Sequence, residues 1–131
     1  MSINIQVGSF DNYCFIGYIY FIDTYIKTLI MNVLLISSSH VMNNLIHNIL
    51  IGDNITTTTN GNIDIPKDTD VILIEENLIT DNFLNTPYPG IIITAIMSSD
   101  LMKKIMEYNK LYIVKPFNGE HLKERIQQVI G

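Results

Sequence analysis

From Met31 onward the chain switches repeatedly between two hydrophobic patterns. Asn32–Ile36 ("NVLLI") is a continuous apolar stretch of strand length, the pattern of a strand buried on both faces. Val41, Met42, Leu45, Ile46, Ile49 and Leu50 then recur at helical spacing and predict a helix over Val41–Leu50. Ser38 or Ser39 is placed to cap its start, and Gly52 fits its end. "ITTTT" at Ile55–Thr59 is β-branched throughout and predicts a second strand. "NGNIDIPKDTD" reads as loop. Val71–Ile74 is a third apolar strand that runs into Glu75 and Glu76. "TDNFLNTPYPG" holds two prolines and reads as loop with at most one helical turn. Ile91–Ile96 is a fourth strand. Leu101, Met102, Ile105, Met106 and Tyr108 mark a helix over Ser98–Asn109, with Ser98 as its cap. Leu111–Val114 is a fifth strand, stopped by Pro116. Leu122, Ile126, Val129 and Ile130 lie on one face of a last helix within Asn118–Ile130.

Doubly apolar strands that alternate with amphipathic helices indicate an α/β fold, a parallel sheet covered by helices. The pattern is complete over residues 31–131, which forms one expected domain. Residues 1–30 read as an N-terminal extension. Its apolar run "YCFIGYIYFI" at Tyr13–Ile22 is ten residues long. A membrane-spanning helix needs about 20 such residues. A secretory leader places its basic residues before the apolar run, and here the first is Lys27. These features argue against a membrane span, and Met31 makes a natural start for the domain.

Composition narrows the classes. The 131 residues are 47% hydrophobic and 16% charged, so there is material for a core. Net charge is −5 with only eight basic residues, of which Lys103 and Lys104 alone are adjacent; this is no nucleic-acid footprint. One cysteine, Cys14, excludes an intrachain disulfide, and the three histidines have no metal-ligand spacing. The 25 isoleucines and 14 asparagines both have AT-rich codons, so asparagine-rich stretches carry little structural weight.

The order "MNVLLISSSH", "DVILIEENL", "IIITA" and "LYIVKPF" resembles the receiver domain of bacterial two-component response regulators, over roughly Met31–Gly131. The resemblance implies a flavodoxin-like five-stranded parallel sheet with helices on both faces. Nineteen positions separate Glu75 from Thr94, so the third helix of that fold is expected to be shortened, and the threonine- and asparagine-rich stretch before Asp70 leaves little for the second. By the same resemblance Thr94 stands at the hydroxyl that contacts the phosphoryl group, Lys115 at the lysine that pairs with it, and Tyr112 at the switch aromatic. Ser37 and Ser38 stand where the family carries its metal-binding acidic pair. Glu75 stands at the phospho-accepting aspartate; Asn77 and Leu78 follow it as in the family, which favours Glu75 over Glu76.

These departures change the expected chemistry. Phosphoryl transfer between anions relies on positioning and charge stabilisation. Serines offer Mg²⁺ only neutral oxygens. Glutamate is one methylene longer than aspartate, and a misplacement of about 1 Å costs on the order of 10²-fold. The expectation is therefore a degenerate, pseudo-receiver-like module with no bound metal or cofactor. It would be non-enzymatic and cytoplasmic, and would act on a signalling kinase or regulator through the fourth helix, fifth strand and last helix of the fold. Serines at the end of the first strand would relieve carboxylate repulsion while still capping the helix, and Glu75 is expected to pair with Lys115. Two alternatives stay open. One is a small flavodoxin-like binder that cradles a phosphate at Ser37–Ser39; the other is a decaying gene product.

Overall fold

The computed structural model describes residues 30–131. The expected extension, including Tyr13–Ile22, lies outside the described residues except for Ile30.

Among the described residues five strands follow the order of the four apolar runs and the β-branched "ITTTT": β1 (Asn32–Ile36), β2 (Asn54–Thr58), β3 (Val71–Glu75), β4 (Gly90–Thr94) and β5 (Leu111–Val114). All pair in parallel, in the spatial order β2-β1-β3-β4-β5. Four α-helices accompany them: α1 (His40–Ile49), α2 (Asp81–Asn85), α3 (Ser99–Tyr108) and α4 (Gly119–Ile130).

Alternate residues of each strand point to opposite faces, so the sheet carries two cores. On one face Val33, Leu35, Val71, Leu73, Ile91, Ile93 and Ile113 meet Met42 and Ile46 of α1 and Leu122 and Ile126 of α4. On the other, Leu34, Ile36, Ile72, Ile74 and Ile92 meet Phe83 and Leu84 of α2 and Leu101 and Ile105 of α3. The three central strands are therefore apolar at every position up to their ends, as strands buried on both faces must be.

The helix starts are set locally. Ser39, Thr80, Ser98 and Asn118 each accept a backbone N–H of the first turn, from Met42, Phe83, Leu101 and His121 respectively. Ser39, not Ser38, caps α1. Asn109 ends α3 in the left-handed region, with φ 59°. The fourth strand stops at Thr94, short of the expected Ile96, because the Thr94 hydroxyl folds back onto the backbone N–H and carbonyl of Ile96.

The shortened crossovers are compensated by tertiary contact. Among the described residues there is no helix between β2 and β3; residues 59–70 form a loop. Ile63 and Ile65 of this loop pack onto the second core. The loop also docks on the start of α2: Thr80 donates to the Gly61 carbonyl at 2.8 Å, and Asn82 to that of Ile63 at 3.1 Å. A side chain at Gly61 would lie 2.8 Å from the Leu78 carbonyl oxygen, so glycine is required by proximity there. The five residues of α2 and the helix-less loop thus cover the sheet jointly. No helix of the described residues is long and apolar enough to cross a membrane.

Candidate functional site

The carboxyl ends of β1, β3, β4 and β5 meet at one edge of the sheet, where open α/β folds place ligands. β1 delivers Ser37, which is fully buried. Its hydroxyl donates to Glu75 Oε1 at 2.8 Å and accepts the Ser39 N–H at 3.1 Å. Both capacities of the side chain are in use. Ser38 is exposed and stands outside this network.

Glu75 is the last residue of β3 and is 7% exposed. Its second oxygen, Oε2, lies 3.5 Å from Lys115 Nζ. Lys115 is fixed at its backbone, whose N–H donates to the Thr94 carbonyl at 2.8 Å, and the following Lys115–Pro116 peptide is cis. Its side chain is 38% exposed. The pair is therefore buried at the carboxylate and wet at the ammonium. Beside it an apolar recess of about 400 Å³ is lined by Met42, Leu45, Lys115, Pro116 and Phe117.

Thr94 is buried and does not reach Glu75. Its hydroxyl pairs with Glu76 Oε1, and lies 2.8 Å from the Ile96 carbonyl. It has one proton for two acceptors, and the carboxylate is the stronger. The two adjacent glutamates thus divide the site. Glu75 turns inward to Ser37 and Lys115, while the exposed Glu76 covers Thr94. Ser37, Glu75, Thr94 and Lys115 stand at one edge, but their side chains form two separate groups, Ser37–Glu75–Lys115 and Thr94–Glu76.

These donors do not fit Mg²⁺, the ion the resemblance implies. That ion wants octahedral oxygen ligands including one or two free carboxylates. Here both Glu75 oxygens already have partners, Ser37 is neutral and engaged, and among the described residues no three acidic, histidine or cysteine side chains gather.

Glu75→Gln separates the two halves of the Glu75 contacts. The amide oxygen still accepts from Ser37, and only the charge pair with Lys115 is lost. With Lys115 wet, the expected loss in urea unfolding is about 1 kcal/mol or less. A loss of about 3 kcal/mol or more would mean that the lysine depends on this partner as a buried charge does.

Two further side chains, Glu76 and Arg125, belong to the surroundings, and a third, Lys110, is buried away from them. Glu76 is the partner of Thr94. Arg125 of α4 lays its guanidinium over the Tyr112 ring, 5.2 Å from the centroid, and donates to Gln128 Oε1 at 2.9 Å. Tyr112 itself is half-buried and packs on the core beneath α3. Lys110 is 4% exposed at the opposite end of the sheet. Its ammonium donates to the Thr86 and Tyr88 carbonyls at 3.0 and 3.3 Å and sits 5.1 Å from the Phe83 centroid. Burial pushes its pKa below the ordinary lysine value. No local pattern marks a lysine for burial; the only cue was that it directly precedes an apolar strand.

No family model matches the chain, and no curated protein matches it. Solved structures do. A chemotaxis protein of Vibrio cholerae, CheY4, is similar at 20% identity and TM-score 0.62, covering 76% of this chain and 98% of its own. The ChxR receiver domain of Chlamydia trachomatis aligns at 14% identity and TM-score 0.62, over 77% of this chain and 99% of its own. A response regulator receiver protein of Pseudoalteromonas atlantica gives 17% identity and TM-score 0.63, over 76% and 96%. At these identities the likeness is one of fold: the described residues adopt the receiver fold.

Proposed function

We propose that residues 31–131 are a receiver-type signalling module that works through protein contacts and does not take up phosphate. One observation carries the reading. Glu75, at the position of the phospho-acceptor, is closed off by Ser37 on one oxygen and by Lys115 on the other. Attack on a phosphoryl group needs a free carboxylate oxygen and a cation to offset the incoming charge. Both are held here by each other. Thr94, at the position of the phosphate contact, is likewise occupied by Glu76.

The surface through which the module would act on a signalling kinase or regulator is the face of α3, β5 and α4. Support comes from Met102 and Met106, exposed on α3, since exposed methionines adapt to varied partners. Tyr112 sits between α3 and Arg125 of α4, so any movement of its ring changes the contacts of both helices. The phosphate-binding alternative has less support. The hydroxyls of Ser37 and Ser39 already serve Glu75 and the α1 cap, and two carboxylates stand close by to repel an anion.

The test is direct phosphorylation. Incubated with phosphoramidate or acetyl phosphate and Mg²⁺, the chain is expected to keep its mass by intact-protein mass spectrometry. Stoichiometric gain of one phosphoryl group, lost on Glu75→Gln, would overturn the proposal.

A further inference from the structure

We propose that the outer edge of β2 is a self-association edge, where two copies of this chain pair their β2 strands antiparallel about a two-fold axis at Thr56. This surface is distinct from the α3–β5–α4 face and independent of any chemistry at Glu75.

β2 ends the sheet, and among the described residues nothing pairs with its outer side. An edge strand is normally blunted by lysine, proline, a bulge or a covering helix. Among the described residues β2 has none of these. Residues 54–60 read "NITTTTN", with no charge and no proline, and the stretch that follows is loop. The other edge, β5, differs: Arg125 covers Tyr112, and Lys115–Pro116 closes the strand's end.

The backbone supplies the self-complementarity. Asn54 donates its N–H to Met31 and Thr58 offers its carbonyl to Ser37, so the groups of Asn54, Thr56 and Thr58 turn inward to β1. Those of Ile55 and Thr57 therefore face outward. An axis at Thr56 sets Ile55 opposite Thr57 of the second copy, and Thr57 opposite its Ile55. Both are outward-facing residues, so each pair exchanges two N–H···O bonds. No other axis on the strand superposes all five residues of Asn54–Thr58 on themselves. It also sets Thr56 against Thr56, a favourable cross-strand pair, and Asp53 against the uncharged Thr59. Such a contact is isologous and closes at two copies. One short ribbon is a small interface, so the dimer is expected to be reversible.

Sedimentation equilibrium on the full chain tests this. The weight-average mass is expected to rise from monomer toward dimer between about 10 µM and about 1 mM. Thr56→Lys sets two ammonium groups against each other at the axis and is expected to weaken association roughly 10-fold or more at low salt. Thr57→Pro removes one outward N–H per copy on an edge strand that tolerates proline, and is expected to abolish association with circular dichroism unchanged. Thr59→Lys faces Asp53 of the second copy and is expected to keep or strengthen it. A chain that stays monomeric throughout, or one whose dimer survives both Thr56→Lys and Thr57→Pro, overturns the proposal.

Discussion

Phe83→Ala is expected to remove about 3–5 kcal/mol of unfolding free energy, a large part of the 5–15 kcal/mol typical of a domain. Phe83 is 1% exposed and sits on a helix of only five residues, so few neighbours can relax into the space it leaves. Three other features are fitted to its ring. Gly90 lies beneath it, and a Cβ there would come within 2.7 Å of the ring. Lys110 holds its ammonium over the ring. The second core closes around it through Ile72, Ile74 and Ile92. Gly90→Ala should itself cost about 1–3 kcal/mol by overpacking. In a Phe83→Leu background that cost should shrink, giving a positive coupling in a double-mutant cycle. Urea titrations of the four chains supply all the terms. A cost below about 1 kcal/mol for Phe83→Ala would show that the short crossover is not part of the cooperative core.

The second expectation concerns the buried hydroxyl at the end of β1. Ser37→Asp places a carboxylate where the serine oxygen is 2.8 Å from Glu75 Oε1, in a position with no solvent exposure. Two carboxylates this close cannot both stay ionised without a cation, and the burden is about 3 kcal/mol at neutral pH in metal-free buffer. Lys115 offsets little of it, because it is tied to the far oxygen and is partly solvated. The triple change Ser37→Asp, Ser38→Asp and Glu75→Asp goes further, since it supplies the acidic donors that Mg²⁺ requires. Its melting temperature should rise with added Mg²⁺, by the equivalent of about 2.7 kcal/mol at 100 times the dissociation constant. The unaltered chain should show no such rise. Equal Mg²⁺ response in both chains would show that the serines and Glu75 are not what distinguishes this site from a metal-binding one.

Local patterning determined most of the framework. The four apolar runs, the β-branched second strand, the helical stripes of α1, α3 and α4, and the parallel α/β class all follow from short strand-length runs that alternate with stripes of period 3.6, patterns that depend only on near neighbours. The motifs "IIITA" and "IVKPF" were enough to suggest which residues gather at the carboxyl edge, because strand ends in a parallel sheet meet there. What local pattern could not decide was direction and distance. Glu75 and Glu76 are identical neighbours in the chain, yet one turns to Ser37 and Lys115 and the other to Thr94. That choice is made by which side of β3 each side chain leaves, and by partners 18 to 40 residues away. The burial of Lys110, the docking of a helix-less loop on α2 through Gly61, and the place of β2 at the end of the sheet among the described residues have the same origin. Each depends on which strand lies beside which. Strand order is set when distant segments pack together, so only the tertiary structure decided it.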